Sequence, residues 1–421
     1  MIDKKWETCV KCGLCRSVCP VFREEKKEQY VARGHITLVE EFLKGNIDFS
    51  SKKAKEYLGK CLLCTACVEA CPNKAETDLA MIFARIKNTQ EYGIPFYKRI
   101  LSLVMKNRKT MDLSAKTVNL LHNILFVQHL ETPRESISPR IGSKLIERKR
   151  LLLPVVGETF LERYPSHIEG KNGRIAVFPG CGVNYAYREI GDAFIRICKK
   201  LNIEVLIPKE QACCGGPLYF SGLIDTPVKL AKKNIDLFNA LDVDFVVVID
   251  PTCASTMKFE YERLFSYIED GEYLEKAKRF SGLVISSEKY LHDHTPLKEL
   301  LRKTEIKERT VTYHDPCHLG RAQKVKQEPR ALLSAISGVK FVEMKDADTC
   351  CGNAGSFSVD FRETSLKIGL KKAESIMETD ADTVATGCCG CIMQVAEALH
   401  IKGRDDIKVK HTLEIIDEAL K

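Results

Sequence analysis

The order of apolar and polar residues divides the chain at about residue 174. Before it, apolar positions recur at helical spacing, so that Ile36-Thr37-Leu38-Val39-Glu40-Glu41-Phe42-Leu43 and the stretch from Lys52 to Leu58 predict helices, punctuated by Gly34 and Gly45. From Arg174 onward the period changes. Continuous apolar blocks at Ile175-Ala176-Val177-Phe178, Val205-Leu206-Ile207 and Phe245-Val246-Val247-Val248-Ile249 predict buried strands, alternating with amphipathic helices at Ile190 to Leu201 and about Thr226 to Ala240. That alternation implies an α/β fold with a mainly parallel sheet.

The pattern then repeats. Thr310-Val311-Thr312-Tyr313 matches the first strand, Cys317 follows Cys181 by 136 residues, Cys350-Cys351 follow Cys213-Cys214 by 137, and Asp382-Thr383-Val384 follow Asp244-Phe245-Val246 by 138. Two α/β copies are therefore expected over 171–300 and 301–421, behind a mostly helical domain over 1–85. Residues 86–170 hold no chemical motif. Helical patterns broken at Pro95, Pro133, Pro139 and Pro154 predict a helical connector there, with the basic segment from Arg140 to Arg150 as a solvated helix face.

Composition changes the picture chiefly through cysteine. Nineteen cysteines in 421 residues, behind a start (Met1-Ile2-Asp3-Lys4-Lys5-Trp6) without an apolar core segment, predict thiols kept reduced as ligands rather than disulfides. The most apolar connector stretch, Val118 to Leu130, is interrupted by Asn119, His122, Asn123, Gln128 and His129, too polar to span a bilayer. A cytoplasmic protein without a transmembrane segment is expected, free or peripheral at the inner face of the membrane. The formal charge of +8, from 65 basic and 57 acidic residues, comes without basic runs interleaved with aromatics, so nucleic acid is not an expected partner.

The sharpest motif is duplicated near the N-terminus: Cys9-x-x-Cys12-x-x-Cys15-x-x-x-Cys19-Pro20 and Cys61-x-x-Cys64-x-x-Cys67-x-x-x-Cys71-Pro72. In bacterial ferredoxins three close thiolates of such a run wrap one cubane, and the fourth, before proline, reaches the other. The expected ligand sets for two [4Fe-4S] clusters are Cys9, Cys12, Cys15 and Cys71, then Cys61, Cys64, Cys67 and Cys19. Two zinc knuckles would need only half of these eight thiols apiece.

The second α/β copy carries five further thiols, Cys317, Cys350, Cys351, Cys388 and Cys391, where predicted strands give way to loops. Adjacent cysteines bridge each other poorly and zinc takes four ligands, so this group points to iron and sulfide. In the first copy the offset of 138 sets Cys253 opposite Cys391 and Asp250 opposite Cys388, leaving Cys181, Cys213, Cys214 and Cys253. A rival alignment pairs Cys253 with Cys388 and Thr256 with Cys391. Either way one ligand is missing.

Tyr313-His314-Asp315-Pro316-Cys317-His318, Cys350-Cys351-Gly352 and His411-Thr412-Leu413-Glu414 resemble the cysteine-rich CCG domain of heterodisulfide reductase. The whole chain resembles the D-type subunit of that enzyme and the iron-sulfur subunits of glycolate, lactate and anaerobic glycerol-3-phosphate dehydrogenases. The resemblance implies a helical ferredoxin domain followed by two CCG domains. It also implies a noncubane [4Fe-4S] cluster held by Cys317, Cys350, Cys351, Cys388 and Cys391, which would be the catalytic residues if a disulfide is cleaved there. The first copy could hold a four-thiolate cluster, a degenerate site or none.

Two functions follow. In one, the chain is an electron-transfer subunit that links a flavoprotein 2-hydroxyacid dehydrogenase to an acceptor such as a quinone, reached through a membrane quinone- or cytochrome-linked protein. In the other, it reduces a disulfide itself. A metal-stabilised scaffold without redox work is the third and blandest class. No nucleotide or flavin motif occurs, and Gly215-Gly216 lacks phosphate-loop spacing, so flavin is expected from a partner chain. Cys198 reads as a small buried hydrophobe and Cys389 as a thiol turned from the cluster. His314 and His318 read equally as hydrogen-bond donors to cluster sulfur or as ordinary loop histidines.

Overall fold

A computed structural model of the chain describes residues 4–48, 50–143 and 146–421. Strands β1 (Phe126–His129) and β2 (Ser136–Pro139) form an antiparallel hairpin. The next five are β3 (His167–Ile168), β4 (Arg174–Phe178), β5 (Glu204–Leu206), β6 (Phe245–Val248) and β7 (Val284–Ser286), in spatial order β3-β5-β4-β6-β7 with β3 antiparallel and the rest parallel. The last four, β8 (Arg309–Tyr313), β9 (Val339–Phe341), β10 (Thr383–Thr386) and β11 (Lys408–His411), form a parallel sheet ordered β11-β10-β8-β9.

Without β3 the two sheets have the same topology. Their register agrees too: Ile175 pairs with Phe245 as Val311 pairs with Thr383. The same carboxylate clips the same strand in both copies, Asp244 accepting from the Arg174 amide and Asp382 from the Thr310 amide, each at 2.9 Å. This register supports the offset of 138 over the rival alignment. In each sheet the chain leaves the central strand in one direction and returns on the other side, so a crevice opens at the carboxyl ends of β4 and β6, and again of β8 and β10. Ile175, Ala176, Val177 and Phe178 are all but inaccessible, which is why their block has no polar alternation.

The copies face each other about a pseudo-two-fold axis. Helix Arg188–Lys200 of the first packs on Thr412–Ala419 of the second, and Gln327–Ala335 of the second packs on Ser287–Asp293 of the first. One apolar core runs through both copies. The ferredoxin region, with helices Ala32–Leu43, Lys52–Gly59 and Thr77–Tyr92, shares a second core with the first copy and a smaller one with the second.

The connector departs from expectation. It is helical over Phe96–Met105, Arg108–Leu120 and His122–Leu125, then turns into the β1–β2 hairpin, and β3 joins the first sheet ahead of the boundary expected at 171. The basic segment is no solvated helix. Lys144 and Leu145 lie outside the described residues, no helix covers the others, and Arg150 is buried, donating to Ser358 Oγ at 2.8 Å. No helix among the described residues is long and apolar enough to cross a membrane.

Candidate iron-sulfur centres

Each ferredoxin motif is a loop running into a one-turn helix, Cys15–Val18 or Ala66–Glu69. Both loops pass through left-handed backbone at matching positions, Lys11 and Gly13 in one and Leu63 and Thr65 in the other. Three of these are not glycine and so bear strain that a curled loop around a central group accounts for. Cys19 caps the helix Pro20–Glu25, its sulfur accepting from the Phe22 amide at 3.4 Å.

The fold crosses the two motifs. Cys9, Cys12, Cys15 and Cys71 line one small cavity, and Cys19, Cys61, Cys64 and Cys67 line another, with Cys67 also on the wall of the first. Burial, joined by the neighbouring Cys64 and Cys61, pushes the Cys19 thiol up to about 12.

In the second α/β copy the five thiols come from three strand ends. Cys317 opens the helix Cys317–Gly320 after β8, Cys350 and Cys351 lie in the loop after β9, and Cys388 caps the helix Cys389–Ile401 after β10 with Cys391 in its first turn. Cys351 Sγ lies 3.4 Å from Cys391 Sγ, and ligand atoms of His314, Cys351 and Cys391 fall within 4.8 Å of one another. Contacts with Cys350 and Cys391 hold the Cys351 thiol well below its ordinary range, and the same contact pushes Cys391 up. The Gly352 amide points at Cys350 Sγ at 3.5 Å, as the Gly215 amide does at Cys213 Sγ in the first copy.

The first copy brings Cys181, Cys213, Cys214 and Cys253 together by contacts of Cys181 with Cys213 and of Cys214 with Cys213 and Cys253. A side chain at Gly180 would meet Cys253 Sγ at 3.1 Å, so this loop must be bare to close over the thiols. Asp250 stands where Cys388 stands in the second copy, each the N-cap of the helix after its strand. Its two oxygens are engaged. Oδ1 accepts from the Thr252 amide at 2.9 Å, and Oδ2 from the amide of Cys389 across the interface at 3.3 Å.

Cys389 itself faces the first copy, where a Cβ on Gly182 would come within 2.9 Å of its sulfur. Thr252 Oγ1 lies 4.0 Å from Cys388 Sγ, so the two thiol groups flank one interface. Cys198 is wholly buried in the core. His314 is buried, its Nδ1 against the Ala347 carbonyl at 3.1 Å and its Nε2 without a partner, and burial lowers it to about 3. The His318 ring packs at a tilt of 36° against Phe220, centroids 5.6 Å apart.

The ferredoxin thiols reach the second copy directly. Cys64 is in contact with Cys350, which pushes the Cys64 thiol up together with burial, and Cys317 feels both.

Several residues of these sites are silent in the sequence. Lys372 is 3% exposed and donates only to the carbonyls of Asp346 and Ala347, beside Cys350 and Cys351. Arg321 is 7% exposed among Cys64, Cys317 and Cys350, its Nη1 without a hydrogen-bond partner. Arg85 donates to the carbonyls of Leu58, Gly59 and Cys61 and to Phe220 of the first copy, tying the domains together beside the second motif. Arg321 also pairs with Glu69 and Asp348 at 3.3 Å each, whereas Lys372, a buried cation with carbonyls for partners, calls for compensating negative charge, which thiolate-held clusters supply. The residues present therefore fit anionic iron-sulfur groups. Helix position would have placed Lys372 and Arg85 on helices; nothing local marks Lys372 as buried or Arg85 as half-buried.

Residues 5–75 match the 4Fe-4S dicluster domain family, and residues 175–258 and 311–396 match the cysteine-rich CCG domain family. An uncharacterized iron-sulfur protein of Methanococcus maripaludis is 31% identical over 426 residues, 99% of this chain and 74% of that one. The chain belongs to the family of heterodisulfide reductase D-type and glycolate oxidase iron-sulfur subunits. A probable glycolate oxidase iron-sulfur subunit of Bacillus subtilis is 28% identical over 441 residues, covering 98% of this chain and 93% of its own length. The B-type subunit of a fumarate reductase (CoM/CoB) of Methanothermobacter marburgensis is 28% identical over 426 residues, 99% of this chain and 73% of its own. The protein is thus an iron-sulfur electron-transfer subunit of an oxidoreductase, with two [4Fe-4S] clusters in its dicluster domain.

Proposed function

We propose that the chain carries electrons between a flavoprotein dehydrogenase of the glycolate or lactate type and an acceptor such as a quinone. The observation that carries this reading is contiguity: the group formed by Cys9, Cys12, Cys15 and Cys71 abuts Cys67, and Cys64 abuts Cys350. Bound in these three groups, iron-sulfur clusters supply one-electron storage. The chain's own residues align the stations, exclude water and offset their charge through Arg321 and Lys372. Cys350, Cys351, Cys388 and Cys391 are 2–8% exposed, with Cys317 alone of the five half-buried, and the burial of the four supports conduction over attack on a substrate sulfur.

A second reading, disulfide reduction at Cys317, Cys350, Cys351, Cys388 and Cys391, is favoured by the complete thiol set and by the relative whose name carries CoM and CoB. One experiment separates them. Cluster reduction by a 2-hydroxyacid, followed by electron paramagnetic resonance, is expected only when a flavoprotein partner is added. Broadening of the oxidised signal by a thiol enriched in a magnetic sulfur isotope, lost in Cys388→Ser, would instead establish catalysis.

A further inference from the structure

A cleft of about 820 Å³ opens where the ferredoxin region meets both α/β copies. Its wall is shared with the cavity of Cys19, Cys61, Cys64 and Cys67, because Leu63, Thr65 and Asp78 line both. One layer of residues thus separates the cleft from the second ferredoxin thiol group. The remaining lining is rich in rings, including Phe83, Phe220 and Tyr267, and its size suits a small molecule.

The polar groups on its floor are unusual. Arg263 Nη1 donates to Asp78 Oδ2 at 2.9 Å and Glu260 Oε1 at 3.0 Å, and its Nη2 to Glu76 Oε2 at 3.2 Å. Lys5 Nζ also stands 3.8 Å from Glu76 Oε1, so two cations face three carboxylates, of which Glu260 is the most enclosed. Glu260 is 7% exposed, its Oε2 and Asp78 Oδ1 have no hydrogen-bond partner, and burial pushes Glu260 up to about 7. It closes a π-helical turn, Thr256–Glu260, the kind of irregularity that re-aims a side chain at functional sites.

We propose that this cleft binds a quinone-type carrier, a flat uncharged ring that accepts two electrons and two protons, and that Glu260 gives it one of those protons. The proposal rests on the reading of the chain as an electron-transfer subunit. The carboxylates of the lining are offset by Lys5, Lys74, Lys278, Lys324, Arg263 and Arg321, so net charge selects neither an anion nor a cation, and the rings suit a flat apolar ligand. The electrons arrive singly across the wall of Leu63, Thr65 and Asp78, supplied upstream by a flavin-bearing dehydrogenase. Each of the two carbonyls becomes a hydroxyl. One proton comes from Glu260, which is reprotonated from the open cleft, and the other from water.

Duroquinone is the probe, since its fully methylated ring does not add thiols. Equilibrium dialysis of the cluster-loaded chain is expected to show one molecule bound, and Ser266→Trp, which fills the cleft, to lower binding by about tenfold or more. With clusters reduced and excess dithionite removed, Glu260→Gln is expected to slow hydroquinone formation about a hundredfold, with Glu260→Asp recovering part of the rate. Wild-type binding in Ser266→Trp, or a wild-type rate in Glu260→Gln, overturns the proposal. Clusters oxidised by ferricyanide but not by duroquinone overturn it while leaving the electron-transfer reading intact. Clusters that neither oxidises sink both.

Discussion

The two α/β copies share topology, register and four thiols, yet surround them differently. The second copy has His314, Arg321 and Lys372 about its thiols; the offsets of 136 and 137 put Phe178, Tyr185 and Ile235 at the corresponding places in the first. Where the second has Cys388, the first has a carboxylate, Asp250. One site thus combines five thiols with the buried Lys372 and with Arg321, which Glu69 and Asp348 also pair, the other four thiols with an added carboxylate. Since a cluster held by thiolates is itself negative, the carboxylate in the first copy disfavours both iron and added electrons there. Contact with Cys64 belongs to the second copy alone among the described thiols.

The largest expected effect separates the copies outright. Cys351→Ser should remove a cluster's iron and break electron flow to external acceptors, while Cys214→Ser should cost much less of either. Iron analysis and ferricyanide reduction would check it, and equal losses would break the comparison.

Glu288 sharpens it next. This residue of the first copy reaches the second, its Oε1 occupying the space a Cβ on Gly387 would need, and it is wholly buried 4.0 Å from His411 Nε2. Burial pushes its carboxyl up to about 7. The native state therefore holds a proton that the unfolded chain releases near its ordinary value, so stability is full below about 4.5 and falls as pH rises toward 7, by about 3 kcal/mol in all. His411, which burial lowers to about 4, stays neutral across that window. Glu288→Gln should make the pH profile of thermal unfolding of the cluster-loaded protein clearly less steep between about pH 5 and 7, with Glu260, also raised to about 7, supplying the remaining slope. A profile as steep as wild type would mean another group titrates.

A smaller effect tests the cations. Lys372→Met should lower the reduction potential of the second copy's centre by about 60 mV, a tenfold shift for one electron. Redox titration followed by paramagnetic resonance measures it, and an unchanged potential would show that Lys372 only packs.

The strands and thiol groups were legible because each announces itself locally. Ile175 to Phe178 has no polar member, and the cysteine spacings survive any alignment. The β1–β2 hairpin was not, since Phe126-Val127-Gln128-His129 is short and half polar, and only the partner strand and the core beneath make it extended. Arg150 misled for the same reason: a basic run reads as solvated until Ser358, more than two hundred residues away, encloses it. Arg321, Lys372 and Glu288 are single charges whose burial is a tertiary fact, as are the long-range bonds of the half-buried Arg85. Asp250 was legible as the missing thiol, but its second bond, to Cys389 of the other copy, depends on the pseudo-two-fold interface.

That second bond gives the smallest and most discriminating test. If Asp250 serves the first copy as a substitute ligand, Asn should weaken iron binding there, because a neutral amide oxygen is a poorer partner for iron than a carboxylate. If it serves as a cap, the consequence is mechanical. An Asn side chain has one acceptor oxygen and can satisfy either the Thr252 amide or the Cys389 amide, not both. The geometry supports the cap, since both oxygens already accept backbone hydrogen bonds. Asp250→Asn is therefore expected to cost about 1 kcal/mol of stability, the net worth of one lost hydrogen bond, with iron content unchanged. Asp250→Ala, which loses both bonds, should cost about twice that. Loss of iron in Asp250→Asn at wild-type stability would make the carboxylate a ligand and bring the two copies closer in chemistry than their surroundings suggest.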